Sequence, residues 1–103
     1  MARKAKTTTD IKYQSLLDVL MRAYEQASGG KGAERHGKDK PFDEQPMQQL
    51  IELYGPGFAL GQAAKKAQES MRMDETERQV AELLGAINYV AGVVVYLEAN
   101  PNG

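Results

Sequence analysis

The sequence of 103 residues predicts an all-α fold, a four-helix bundle-like single domain over residues 10–100 that assembles into an oligomer through its helices. Three observations predict this fold. Apolar residues recur at the helical period in four segments, glycine or proline interrupts the chain between those segments, and strand-like alternation of useful length is missing. The predicted helices span about residues 10–28, 46–54, 58–72 and 75–98.

The first predicted helix follows a polar N-terminus. Residues 1–9 show no apolar periodicity and predict a flexible basic tail. Thr9 or Asp10 can then accept hydrogen bonds from the free amides of a first helical turn. The apolar positions that follow keep the helical period: Tyr13, Leu16, Leu17, Leu20, Ala23, Tyr24 and Ala27. Gly29 and Gly30 predict the end of the helix, and residues 28–45 predict a long polar loop, functional or disordered.

Two shorter helices are predicted after this loop. Pro46 suits a first helical turn because its missing amide would be unpaired there, and Met47, Leu50, Ile51 and Tyr54 give the second helix one apolar face. The segment Gly55-Pro56-Gly57 should end it. A third helix is expected from about Phe58, with small side chains on its inner face that allow another helix to approach closely.

The fourth predicted helix is apolar almost all the way round from Val80 to Leu97. Asp74 and Glu77 form a predicted capping box at its start. Spacings of four, three and four align four small or short residues, which we call the small-residue side: Ala81, Gly85, Asn88 and Gly92. A helix with so few polar residues must be covered by protein. We expect the small-residue side, with Tyr89 and Tyr96, to form an oligomer interface in which Asn88 fixes the register. The alternative role of Asn88 and of the two tyrosines is to line a ligand pocket.

The composition excludes several classes of protein. Cysteine is absent, which excludes a disulfide framework and thiolate metal ligands. The apolar run from Leu83 to Leu97 covers 15 residues. A bilayer needs roughly 20 apolar residues, so we expect no membrane span and a cytoplasmic protein.

The formal net charge of −1 conceals an uneven distribution. Residues 1–40 carry nine lysines and arginines against five acids, a net charge of +4, and residues 41–103 carry four against nine, a net charge of −5. These halves should attract one another, or the same halves of neighbouring copies. Neither half is basic enough to favour duplex nucleic acid as a partner.

The charged loop contains the first candidate ligand-binding residues: Arg35, His36, Lys38 and Lys40. Histidine and cations beside carboxylates are suited to proton transfer or to phosphate contacts. The competing interpretation is a solvated loop whose charges maintain solubility. A single histidine without a second at ligand spacing makes neither a metal site nor a catalytic triad.

A second candidate is the glycine-bearing turn that opens the third helix, with Gly57, Gly61, Lys65 and Lys66. Free amides at a helix start attract anions, and glycine lets a phosphate approach the backbone. The segment matches neither the P-loop nor the dinucleotide fingerprint. A helix-breaking turn followed by two surface lysines is the alternative.

The carboxylates give little support for an enzyme. Helical nucleoside triphosphate pyrophosphohydrolases hold magnesium with paired carboxylates one turn apart on successive helices. The comparable pair here is Asp74 with Glu77, for which helix capping is a sufficient explanation, and no second pair follows. We therefore expect no metal site and no cofactor, and we disfavour catalysis.

Three segments together carry a resemblance to known proteins, namely residues 34–42, the Gly-Pro-Gly-Phe turn, and the helical segment Leu83–Tyr89. They resemble the small α-helical accessory proteins that phages encode, including some that handle nucleotides or disarm host defences. This resemblance implies a protein of the host cytoplasm that either sequesters a small phosphorylated ligand or binds a host protein.

Two functions follow as hypotheses. The first is a non-catalytic, oligomeric helical protein that sequesters an anionic nucleotide-like ligand, in phage terms a counter-defence protein. The alternative is a protein-interaction inhibitor or adaptor that blocks a host protein through its acidic helical face, as charge separation and excess apolar surface suggest. An enzymatic alternative, a phosphohydrolase built on the loop acids, is the weakest of the three.

Overall fold

The computed structural model describes residues 11–29 and 40–102. These two stretches contain four α-helices and no strand, which confirms the predicted all-α fold. The helices are α1 (Gln14–Gly29), α2 (Pro46–Tyr54), α3 (Pro56–Ser70) and α4 (Thr76–Ala99). One turn of 3-10 helix precedes α1 and another, Phe42–Glu44, precedes α2. The predicted tail, Asp10 and most of the predicted loop lie outside the described residues.

The corner between α2 and α3 is tighter than predicted. Gly55 has a φ of 91°, a conformation that favours glycine because it has no Cβ. Its amide donates to the Ile51 carbonyl oxygen at 2.6 Å. The third helix begins at Pro56, not near Phe58, because proline is already fixed at a helical φ and has no amide to leave unpaired.

A short connection joins α3 to α4, and the two helices pack as an antiparallel hairpin. The buried Ser70 ends α3, and its carbonyl oxygen accepts a hydrogen bond from Gln79 Nε2 at 3.1 Å. The predicted cap at Asp74 is wrong. Glu75 occupies the N-cap position in extended backbone, with no capping hydrogen bond from its side chain. The first-turn acid Glu77 still lies favourably in the field of the helix dipole.

Helix α1 packs across the first half of α4, and side-chain amides join the two. Asn88 Nδ2 donates to the Ala23 carbonyl oxygen at 3.0 Å, and Gln26 Nε2 donates to the Ala81 carbonyl oxygen at 3.0 Å. The C-terminal part of α1 therefore meets the N-terminal half of α4. This pairing of ends makes the two helices antiparallel.

The hydrophobic core lies where α2, the start of α3 and the second half of α4 converge. Ile51, Ala59 and Val93 are its buried members, and half-buried residues pack around them: Met47, Phe58, Tyr89 and Tyr96. Half of the six buried hydrophobic residues of the described chain are alanines, namely Ala23, Ala59 and Ala63. The core is therefore modest for a chain of this size.

Large apolar side chains remain outside that core. On α1 and the turn before it, Tyr13, Leu16 and Tyr24 are each more than half exposed. Helix α4 is exposed along part of its length as well, and only 17% of its most apolar window is buried, with a mean hydropathy of 1.8. Among the described helices it is the one long and apolar enough to cross a membrane by length and composition.

Candidate functional site

A half-open groove of about 620 Å³ lies between the C-terminal end of α1, the segment that enters α2, and the first half of α4. This volume is within the range of pockets that hold drug-sized ligands. Its apolar lining residues are Phe42, Met47, Leu50, Phe58, Met73 and Tyr89. Its polar lining residues are Gln26, Gln45, Lys66, Arg78, Glu82 and Asn88.

The charged groups of the groove come from α3 and α4. Lys66 Nζ lies 3.2 Å from Glu82 Oε1, and both side chains are about one-quarter to one-third exposed. Arg78 lies one turn before Glu82 on α4 and makes no ion pair with any described residue. Two cations against one carboxylate give the groove a net positive charge.

Hydrogen bonds within the chain hold the side-chain amides of the groove in place. Asn88 Nδ2, besides its bond to Ala23, lies 3.4 Å from Gln26 Oε1. Gln45 Nε2 donates to the Lys40 carbonyl oxygen at 2.8 Å. The two bonds of Asn88 engage both hydrogens of its Nδ2, and its Oδ1 remains able to accept a hydrogen bond from a ligand.

Three different elements of the chain contribute aromatic side chains to the groove. Phe42 is contributed by the 3-10 turn that follows Pro41, Phe58 by the first turn of α3, and Tyr89 by the middle of α4. All three are half-buried. Their apolar area is available to a flat ligand, and Phe58 and Tyr89 also pack against the core.

Of the predicted ligand-binding residues, the structure places Lys66 in the groove. Arg35, His36 and Lys38 lie outside the described residues. Lys40 is exposed at the start of the second described stretch. Its backbone carbonyl oxygen accepts the hydrogen bond from Gln45 Nε2. Among the residues that line the groove, Ala27 and Phe42 are the closest in sequence to residues 30–39, which lie outside the described residues.

The other residues of the predicted glycine site lie away from the groove. Gly57 and Gly61 are exposed on α3, and a Cβ added at either would have no neighbour within 4 Å. Lys65 points to solvent and lies 4.0 Å from Glu69 one turn later. The adjacent residues Lys65 and Lys66 thus have different environments, because successive residues of an α-helix are rotated by about 100° around its axis.

The residues of the predicted oligomer interface make contacts within their own chain, and among them Ala81 is exposed. Ala81 and Asn88 bond to α1, Gly85 lies beside Lys66 and Gln26, and Gly92 lies beside Met47 and Gln48 of α2. Tyr89 and Tyr96 pack against the core. With a single chain described, an interface between copies stays a prediction. The small-residue side already serves close approach within the monomer.

The arrangement is chemically suited to binding. Within residues 11–29 and 40–102, no three histidine, aspartate or glutamate side chains come together as candidate metal ligands. The ionisable side chains that line the groove are Lys66, Arg78, Glu82 and Tyr89. What these groups offer together is charge, hydrogen-bond acceptors and aromatic area.

Several groove residues had no signal in the sequence strong enough to distinguish them. Gln26 and Glu82 resemble ordinary exposed positions of helical segments, and Arg78 a charge near a helix start. Phe42 was visible as an aromatic residue after a proline within a polar loop. Arg78 was the residue most open to detection, because it is the one cation on an otherwise acidic and apolar helix.

Comparison with known proteins gave no match to this chain among protein-family models, curated proteins or solved structures.

Proposed function

We propose that this protein binds an anionic, nucleotide-like small molecule in the groove between α1, α2 and α4, without catalysing its conversion. The observation that carries the proposal is the convergence of Lys66 and Arg78 with three aromatic side chains in one groove of ligand size. Cations select the phosphate of such a ligand, and aromatic faces contact its base.

The division of charge in the groove suggests how the ligand would lie. Glu82 already neutralises Lys66 at 3.2 Å, so a ligand phosphate would meet Arg78 first and share Lys66 with that carboxylate. The guanidinium of arginine has the planar geometry for two parallel hydrogen bonds to a phosphate. The base would then lie toward Phe42 and Phe58.

Calorimetry against a panel of mononucleotides and cyclic oligonucleotides tests the proposal. A charge-assisted hydrogen bond contributes about 1.5 to 3 kcal/mol, so Arg78→Gln should weaken binding by about tenfold to a hundredfold. Arg72→Gln is the matched control, because Arg72 is also exposed but lies in the turn after α3, outside the groove. Absence of binding heat for every compound would remove the proposal, as would equal losses for the two variants.

A second candidate function is binding of another protein. One observation favours binding through apolar contacts over binding through an acidic face. Tyr13, Leu16 and Tyr24 leave an exposed apolar stripe along α1. By contrast, Glu82 is committed to Lys66, and Glu69 lies within 4.0 Å of Lys65. A pull-down in which Leu16→Glu removes a stoichiometric partner while Glu75→Lys retains it would favour the apolar version; the reverse result would favour the acidic face.

A further inference from the structure

Helix α4 carries an exposed apolar seam along one side. Six apolar residues follow spacings of three, four, three, four and three, and we call them the α4 apolar seam: Val80, Leu83, Ile87, Val90, Val94 and Leu97. Leu83, Val90, Val94 and Leu97 are 37%, 45%, 48% and 51% exposed, and the other two are half-buried. The seam therefore has apolar area that this chain does not cover.

The seam lies opposite the side of α4 that the chain does cover. Two residues along an α-helix correspond to a rotation of about 200°, so Gly85 faces away from Leu83, and Gly92 faces away from both Val90 and Val94. Gly85 and Gly92 contact α1, α2 and α3 side chains. The α4 apolar seam is consequently a separate surface from the small-residue side and from the groove.

The spacing of the seam fits another helix. An apolar repeat averaging 3.5 residues keeps one side of a helix facing a partner helix, with each side chain inserted between those of the partner. A bilayer would have to accommodate the Lys66–Glu82 ion pair and the charged helix α3 beside α4, and charges within hydrocarbon are costly. Helix packing therefore accounts for the seam better than lipid contact does.

We propose that α4 pairs with α4 of a second copy of this chain along the α4 apolar seam. All six positions are apolar, and the central flanking residues Ala86 and Ala91 are small and uncharged, so a second copy meets no unpaired charge there. Glu77 and Glu98 lie only at the ends. Interfaces between identical subunits are more apolar than those of transient complexes, which matches a seam with no polar member.

The size of the seam sets the expected strength of the pair. Its helical length is about 26 Å and a helix contact is about 10 Å wide, a footprint on the order of 300 Å². Standard interfaces bury about 800 Å² per partner. The dimer should therefore be weak and concentration-dependent.

Sedimentation velocity from about 1 μM to 1 mM tests this pairing on the full chain. We expect a monomer–dimer equilibrium whose dissociation constant rises at least tenfold in Val90→Lys and in Val94→Lys, with helical circular dichroism retained. Leu53→Lys is the control, because Leu53 is 71% exposed on α2 and outside the seam. Two independent seam variants guard against a single substitution that impairs folding.

Three outcomes would overturn the pairing. One is a native chain that stays monomeric over the whole range. Another is a dimer that the seam variants leave intact or that Leu53→Lys weakens equally. The third is flotation of a monomeric native chain with phosphatidylcholine–phosphatidylglycerol vesicles, lost in Val90→Lys, which would assign the seam to lipid.

Discussion

The two sides of α4 differ in the size of their side chains and in what covers them. The small-residue side allows α1 and α2 to approach the backbone of α4 and to bond to its carbonyl oxygens at Ala81 and Gly92. The α4 apolar seam presents larger aliphatic residues and stays exposed. Within this chain, close contact between helices thus involves small residues, and the larger side chains of the seam keep apolar area exposed.

This difference bears on the oligomer interface that the sequence predicts on the small-residue side. An apolar helix with a line of small residues looks like an interface between copies, because small residues permit close helix contact. In the folded chain those residues receive Gln26, Met47 and Gln48 from the same molecule. The small-residue side is therefore used for close approach within the chain, and the exposed apolar area lies on the α4 apolar seam. Substitutions on each side can test this separation.

The largest effect is expected from Gly92→Leu. Gly92 is buried, and a Cβ there would lie 2.6 Å from Met47 Sδ and 3.4 Å from Gln48 Nε2. Gln48 Nε2 also donates to the Gly92 carbonyl oxygen at 3.0 Å, so the larger side chain must displace a packed and a bonded neighbour. The free energy of unfolding should fall by about 3 kcal/mol, the upper end of usual overpacking costs.

Urea denaturation followed by circular dichroism measures that loss. Gly61→Leu is the control, because Gly61 is exposed on α3 with open space around it, and leucine is the better helix former. If Gly92→Leu kept its stability and only separated two copies, the small-residue side would be an interface between molecules, and the contrast between the two sides of α4 would fail.

A smaller effect is expected from a matched pair of neighbours, Val93→Ala and Val94→Ala. Val93 is 5% exposed in the core, and Val94 is 48% exposed in the seam. Removing two buried methyl groups and leaving a cavity should cost about 2 kcal/mol at position 93. At position 94 the change should stay within about 0.5 kcal/mol, because alanine also favours helix.

Both variants are compared by urea denaturation at a concentration low enough to keep the chain monomeric. Equal losses of stability at the two positions would mean that the seam is covered within the chain. A loss at Val94 that appears only at high concentration would instead reflect the pairing proposed for the seam.

Helix positions could be predicted from the sequence because they depend on local signals. Pro46 with the apolar residues after it gave the bounds of α2, and the helical period placed α1 and α4. Boundaries were less exact where two local signals compete: at Gly55-Pro56-Gly57 both glycine and proline can end or begin a helix. Asp74 was a plausible cap, but the chain leaves α3 in a turn that puts Glu75 at that position.

The groove could not be predicted in the same way, because it depends on which helix faces meet. Lys66 and Lys65 are equivalent in sequence, and only the packing of α3 against α4 distinguishes them. Gln26 and Asn88 are 62 positions apart and come within 3.4 Å through the antiparallel packing of α1 on α4. Periodicity indicates that a face is apolar, but not which neighbour covers it.

The smallest effect, and one of opposite sign, is expected from Gly85→Ala on the same covered side as Gly92. The nearest atoms to an added Cβ are Lys66 Cδ at 3.2 Å and Lys66 Cε at 3.4 Å, the far end of a flexible side chain that can shift. Alanine gains up to about 1 kcal/mol over glycine within a helix, and that shift offsets part of it.

The net expectation for Gly85→Ala is a gain of about 0.5 kcal/mol in the free energy of unfolding, measured in urea beside Gly92→Ala, which should lose stability. The two glycines are one heptad apart on the same side of α4, so their opposite signs would follow from the neighbour alone: a half-exposed lysine stem in one case, a packed methionine in the other. A clear loss of stability at both positions would show that α1 and α3 hold α4 as rigidly near Gly85 as α2 does near Gly92, and would make the groove less adaptable to a ligand than its half-open form suggests.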